Sequence, residues 1–255
     1  MRFSLITATY NSAQTLDRCL TSVSAQHHRD LEHLIVDGGS SDGTIEILAK
    51  HRRTGRLKVV CSEADHGIYE AWNKALNFIS GDWVLFLGSD DWLASPNSLA
   101  MASAAIIQHP EVVYCEFVCG KTLGIRGQSI GLTPDKWAWR ESDHWWNHWR
   151  GSLPLPAQPG VLHRASLFRS GVRFDESYRI CADQKLLWEN GFHASHCWID
   201  VALSNHQPGG ISQNKATAAL HRHERRRMLS ELGRPRPDWI EPLLTLKDYL
   251  KQLKN

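Results

Sequence analysis

Apolar residues recur along the first hundred positions in two alternating rhythms. Short consecutive runs mark buried strands, and apolar residues three or four apart mark amphipathic helices. Phe3 to Ala8 reads as a strand. Ser12 then caps a helix carrying Leu16, Cys19, Leu20 and Val23. Leu31 to Val36 is a second strand, followed by the polar loop 37–43 and a helix with Ile45, Ile47 and Leu48. Leu57 to Cys61 is a third strand, and Ile68, Trp72, Ala75, Leu76 and Ile79 mark the next helix. Trp83 to Leu87 is a fourth strand, and Ser95-Pro96 opens a further helix with a cap followed by proline.

Alternation of this kind predicts an α/β fold, a parallel sheet with helices on both faces. Such sheets bind ligands outside the carboxyl ends of their strands. The polar clusters of this chain lie at those ends: 7–11, 37–43, 63–67 and 89–91. The second half is less regular. Val112 to Val118 and Lys121 to Gly131 are expected to pair as strands, and 134–160 to form loops with one short helix. Gly191 is expected to end a helix containing Leu186 to Glu189. Two C-terminal helices, 216–232 and 239–253, flank a Gly/Pro/Arg linker. The boundaries expected are a main domain over 1–212 and a helical extension over 213–255. The domain divides into a regular half, 1–95, and an irregular half, 96–212.

With 255 residues, 42% hydrophobic and 22% charged, the chain has an ordinary globular composition. A net charge of +2 does not suit a nucleic-acid binder. Six scattered cysteines without a CxxC pair suit reduced, buried thiols and a cytoplasmic protein. Neither a signal peptide nor a stretch of ~18 apolar residues is expected.

The stretch FLGSDDW, 86–92, places two adjacent carboxylates, Asp90 and Asp91, at the end of an apolar strand. Hard divalent cations such as Mn2+ or Mg2+ want such oxygens, and they also bridge diphosphates. A surface turn with a helix cap is the plainer reading of the same two residues. The loop DGGSSDGT, 37–44, is more polar than a simple turn needs, and Asp37 could accept a hydrogen bond from a base or ribose. Neither GxxxxGK[ST] nor GxGxxG occurs, so P-loop and dinucleotide-binding readings are weak.

Taken together, ITATYN, IVDGGSSDGT, EADHGIYEAWNKAL and GDWVLFLGSDDWL resemble the family 2 nucleotide-sugar glycosyltransferases of the GT-A fold. The closest resemblance is to small bacterial members that assemble exopolysaccharide and lipopolysaccharide. A weaker likeness runs through QPGVLHRASLF and FDESYRICADQKLLW. The resemblance implies a Rossmann-like, mostly parallel sheet flanked by helices, with an irregular acceptor-side half. It implies that Thr7, Thr9 and Tyr10 border the nucleotide, and that Asp37 binds the base with Gly38 and Ser40 nearby. Asp65, Asn73 and Lys74 fall on the next donor-pocket motif. Asp90 would hold Mn2+ or Mg2+, with Asp91 a second ligand or a ribose contact. Gly88 stands where the family commonly has the first Asp of Asp-X-Asp.

The resemblance also implies inversion by direct displacement, with Asp183 as the base that takes the acceptor proton. Asp175 and Glu176 are rivals in a turn-like setting. The expected partners are a nucleotide-sugar donor and a glycan or lipid-linked acceptor, with no nucleic acid. His206 and Gly209-Gly210-Ile211-Ser212 resemble a loop that closes over the donor. Trp137, Trp139, Trp145, Trp146 and Trp149 are candidates for sugar stacking or for packing. His144 and His148 have zinc-like spacing but lack a third ligand. The basic run HRHERRRM, 221–228, is either a solvated helix face or a contact with the inner face of the cytoplasmic membrane. Two rivals stand beside the transferase. A nucleotidyltransferase is disfavoured by the absence of a Gly/Arg-rich loop in ATYN. A non-catalytic carbohydrate-binding module would not need the strand-end carboxylates.

Overall fold

The computed structural model describes residues 1–53, 57–130, 155–192, 195–210 and 214–233, with only the backbone of Lys215. The expected tryptophan cluster, His144, His148 and the helix over 239–253 lie outside the described residues.

In the first half, β1 (Phe3–Thr9), α1 (Leu16–Ser24), β2 (Leu31–Asp37), α2 (Thr44–Arg52), β3 (Leu57–Ser62), α3 (Ile68–Leu76) and β4 (Trp83–Phe86) follow the predicted order. β1 pairs in parallel with β2 on one side and β4 on the other. β3 extends the sheet beyond β2, giving the order β3-β2-β1-β4. The strand order therefore reverses beside β1, where open α/β sheets leave a crevice.

The remaining described elements are β5 (Trp92–Leu93), α4 (Ser98–Gln108), β6 (Phe117–Leu123), β7 (Ser129–Ile130), β8 (Val161–Arg164), α5 (Ala165–Arg169), α6 (Ala182–Glu189), β9 (His196–Asn205) and α7 (Ala218–Glu231). β8 pairs antiparallel with β4 and carries the sheet on through β6, β9 and β5. The second half is a mixed sheet, since β6–β8 is antiparallel and β6–β9 parallel.

Alternate residues feed opposite layers, as a strand covered on both faces requires. Ile6, Val84 and Phe86 face one core, whereas Leu5, Trp83 and Leu85 face the other. The first core centres on Phe86, whose ring lies 4.7 Å from Trp72 and 5.0 Å from Phe174, centroid to centroid. Met228 and Leu229 of α7 are fully buried in that same core. The helix α7 thus packs against the main core.

Several local expectations are corrected. Ser12 does not cap α1. The helix begins at Leu16 with Thr15 at the cap and no side-chain cap bond, and the Ser12 hydroxyl turns to the Tyr10 carbonyl. The helix foreseen at Ser95-Pro96 starts at Ser98, because the Ser95 hydroxyl accepts from the Asn97 amide and closes a turn first. The strand expected over Val112 to Val118 is a 3-10 turn from Pro110 to Tyr114, and the strand proper begins at Phe117. Lys121 to Gly131 contains the end of β6, and β7 folds back on it. Gly191 does end α6, with φ of 74° and its amide on the Trp188 carbonyl.

Phe174 joins the two halves, stacking on Tyr69 and packing against Trp72, Phe86 and Phe168. Its truncation in Phe174→Ala is expected to cost about 3–5 kcal/mol of unfolding free energy. Denaturant titration measures this, and a loss below about 1 kcal/mol would refute the central placement of the ring.

Candidate active site

The loops that follow β1, β2, β3 and β4 meet at the carboxyl edge of the parallel strands. Those after β1 and β2 are laced together. Ser40 Oγ accepts from the Asn11 amide at 2.8 Å, and Asn11 Oδ1 accepts from the Ser41 amide at 2.9 Å. Asn11 takes the left-handed conformation, φ 47°, which its short polar side chain tolerates. Asp37 ends β2 completely buried. Its Oδ2 accepts from the Gly39 and Ser40 amides and the Ser62 hydroxyl, while Oδ1 accepts from the Ser40 hydroxyl. The carboxylate that looked like a base contact is thus the anchor of its own loop.

A cleft of about 1230 Å³ opens above these loops. Of the residues singled out from sequence, Thr9, Tyr10, Gly38, Asp65 and Asp90 line it. Tyr10 is exposed at the rim. Thr9 is buried, and its hydroxyl has no hydrogen-bond partner among the described residues. Gly38 and Asp65 form a tight corner, where a Cβ on Gly38 would come 2.9 Å from Asp65 Oδ2. Burial pushes the Asp65 carboxyl up, although Oδ1 accepts from the Gly67 amide.

Other expected site residues stand behind the cleft wall. Thr7 is fully buried and bonds His33 Nε2 at 2.9 Å. Burial lowers that imidazole to about 3 and keeps it neutral. Asn73 does not line the cleft. Its Oδ1 accepts from the Phe174 amide, and its Nδ2 donates to the Phe174 carbonyl and to Glu176. Lys74 is held by Glu63 and Glu70, each at 2.9 Å.

The two carboxylates of the β4 loop have separate surroundings. Asp91 is buried, and its Oδ1 accepts from His206 Nδ1 at 2.9 Å and from the Gln207 amide at 3.1 Å. This ties the end of β9 to the β4 loop, and the hydrogen bond raises the His206 pKa. A raised histidine stabilises the fold fully below its unfolded pKa, and the contribution is lost as pH rises through the folded value. Asp90 is half-buried and faces the cleft, its carboxyl pushed up by burial and then by the Asp91 charge. Arg18 donates to the Asp90 carbonyl and to Gln207, and a Cβ on Gly210 would lie 3.5 Å from Asp90 Oδ2. The loop containing Gly209 and Gly210 therefore reaches the β4 loop, while Ile211 and Ser212 lie outside the described residues. A hard carboxylate oxygen, half-buried and facing the cleft, fits Mn2+ or Mg2+ held through Asp90.

Gly88 has a steric reason. A Cβ there would fall 2.7 Å from Asp90 Oδ1 and 3.0 Å from Asp91 Oδ2. A side chain at 88 would require the ends of those two flexible carboxylates to shift.

The second half of the chain supplies Glu176, Ser177 and Arg179 to the cleft. Sequence reading passed over Arg179, because nothing local links a turn residue to strand ends more than 80 positions earlier. Asp183 is not among the lining residues. It stands in the first turn of α6 and accepts from the Tyr69 hydroxyl at 3.0 Å. Burial pushes its carboxyl up to about 6, against hydrogen bonds from Gln184 and Tyr69 that lower it. Asp175 behaves in the opposite way. Burial raises it, but Lys185 and Ser177 outweigh that and hold it at about 2.

The sequence model of glycosyl transferase family 2 matches residues 4–175, more than half of the chain. The chain belongs to this family. The family 2 match covers the loops after β1, β2, β3 and β4 and stops short of Asp183. Over 123 residues the chain is 36% identical to a PGL/p-HBAD biosynthesis glycosyltransferase of Mycobacterium tuberculosis, covering 47% of this chain and 48% of that protein. It therefore spans about half the length of that curated relative. Among solved structures, Staphylococcus aureus TarS 1-349 in complex with UDP-GlcNAc is similar with a TM-score of 0.64 and 23% identity, covering 82% of this chain and 60% of that one. The mannosyltransferase PcManGT from Pyrobaculum calidifontis, in complex with GDP-Man and Mn2+, is similar with a TM-score of 0.67 and 18% identity, covering 98% and 69%. These likenesses establish the GT-A fold.

The steric account of Gly88 makes a counterintuitive prediction. Gly88→Asp restores the commoner Asp-X-Asp pattern, yet is expected to weaken Mn2+-dependent UDP or GDP binding about tenfold by displacing Asp90. Calorimetric titration checks this, and tighter binding would refute the account.

Proposed function

We propose that this protein is an inverting, metal-dependent hexosyltransferase. It would move a sugar from a nucleoside-diphosphate donor to a hydroxyl of a bacterial glycan or lipid-linked acceptor. The observation that carries this reading is the Asp90 carboxylate, half-buried in the strand-end cleft and facing an opening large enough for a nucleotide sugar. The nucleotide sugars bound by TarS and PcManGT support it, as does the Mn2+ of PcManGT.

In this reading Tyr10 lies against the base, the Gly38–Asp65 corner meets its edge, and Thr9 offers its unpartnered hydroxyl. Thr7, Asp37 and Ser40 hold the loops in place, while Asn73 and Lys74 hold the wall behind them. Asp91 fastens the closing loop through His206. Asp90 would hold Mn2+ or Mg2+, which would supply positive charge to offset that of the leaving diphosphate. Asp183 takes the acceptor proton as the acceptor oxygen attacks the anomeric carbon opposite the diphosphate, and C–O cleavage releases the nucleoside diphosphate. A carboxyl near 6 suits that task, since it is ionised at neutral pH yet basic enough to accept a proton.

A lipid-linked acceptor would be met at the cytoplasmic face of the membrane. No helix among the described residues is long and apolar enough to cross it. Exposed Arg222, Arg226 and Arg227 of α7 suit anionic headgroups, at about 1 kcal/mol per basic residue.

Three outcomes follow from these roles. Asp183→Asn is expected to lower turnover about 10²–10⁴-fold with donor binding retained. In the parent protein, turnover should rise with pH and level off above about 6, because Asp183 works only when ionised. Steady-state assays of donor turnover test both, and an unchanged rate in Asp183→Asn removes it as base. Asp90→Ala should abolish the Mn2+-dependent part of UDP or GDP binding, and calorimetry showing no change would remove that role.

A further inference from the structure

The helix α7 looked in sequence like a basic face, but its inner side buries a carboxylate. Glu224 is only 4% exposed. Its Oε1 accepts from the Arg179 amide at 2.7 Å, and its Oε2 accepts from the amides of Ile180 at 2.8 Å and Cys181 at 3.1 Å. Three consecutive backbone donors converge on one anion, an arrangement that suits a carboxylate and no neutral side chain as well. They lie just ahead of α6, with Cys181 at its cap, so no helical bond uses them.

Further bonds draw α7 along the same segment. Tyr178 donates to Glu231 at 2.8 Å, Lys185 bridges Asp175 and Glu231 at 2.7 Å each, and Arg227 Nη2 donates to Ser177 Oγ at 2.8 Å. These pairs are partly exposed and join side chains. Glu224 alone grips the backbone of three residues from within the core. The gripped turn begins at Arg179, on the cleft wall, and runs straight into Asp183. An apolar residue would anchor α7 without the cost of burying a charge. What the carboxylate adds is a fixed orientation for this turn.

We propose that Glu224 is a positioning residue for the reaction. It fixes the 179–181 turn so that Arg179 stays on the cleft wall and Asp183 stays at the Tyr69 hydroxyl. This rests on the reading of Asp183 as base. The titratable groups bearing on Asp183 are Tyr69 from α3, Cys181 from the preceding turn and Glu224 from α7. Of these, the Glu224 charge raises the Asp183 carboxyl.

The test is E224Q, which keeps the shape but removes the charge and one acceptor. Turnover of nucleotide-sugar donor is expected to fall at least tenfold, and a misplacement of about 1 Å would cost about 10²-fold. Affinity for UDP or GDP with Mn2+ should change less than twofold, and the acid limb of the pH profile should move below 6. A wild-type rate and acid limb in E224Q, alongside an inactive D183N, would overturn the proposal. An active D183N would instead remove the base reading, and with it the role assigned to Glu224. Should E224Q not fold, amide hydrogen exchange of the wild-type chain decides. Slow exchange at 179–181 supports the grip, and exchange as fast as in exposed loops overturns it.

Discussion

Parallel pairing of β1 with both of its neighbours is the constraint on which the rest depends. It brings the carboxyl ends of β1, β2 and β4 to one edge, and β3 adds its own end beside β2. The loops after β1, β2 and β4 begin from strands buried on both faces and so start from rigid, desolvated positions, whereas β3 is a partly exposed edge strand. The cleft is a consequence of that pairing and of the reversal in strand order beside β1. Specific side chains then decide its shape, as when Ser40 and Asn11 lace two loops and Gly38 leaves room for Asp65.

Buried carboxylates sort into two kinds according to how they are satisfied. Asp37, Asp91 and Glu224 each accept several protein donors, which compensates the loss of water. They hold the loop after β2, the loop after β9 and the turn before α6 respectively. Burial outweighs the hydrogen bonds to Asp183 and pushes its carboxyl up, and burial with the Asp91 charge does the same to Asp90. A carboxyl raised in this way is poised to take a proton or a cation, which is why these two carry the chemistry in the proposed reaction. The structural carboxylates hold the loops and turns on which the reactive ones stand.

The two halves of the chain are joined through packing more than through the sheet alone. The ring of Phe174 links α3 and β4 to the segment that supplies Glu176, Ser177 and Arg179, and Asn73 pins that segment by bonding both backbone groups of Phe174. Membership of glycosyl transferase family 2 rests on residues 4–175, which end just past this joint. The turn and helices beyond it complete the core with Met228 and Leu229.

The order of strands and helices in the first half was legible in sequence because hydrophobic period is a local property, and burial on both faces leaves continuous apolar runs. So was the edge at which the site forms, since polar residues broke those runs at every strand end. Thr9, Tyr10, Gly38, Asp65 and Asp90 lie in those polar breaks, and the resemblance to family 2 singled them out. What each polar group faces was not legible. Asp37, Asn73 and Asp91 resemble ligand contacts in sequence and turn out to hold loops, because a side chain's partners come from segments tens of residues away. Glu224 was hidden within a basic run, although it shares the inward face of α7 with Met228, four residues on. For the first half, the sequence alone determined the order of elements, their parallel pairing and the edge where chemistry could occur. Only tertiary structure decided which carboxylates are satisfied by the protein and which remain for a ligand, because that depends on distance in space.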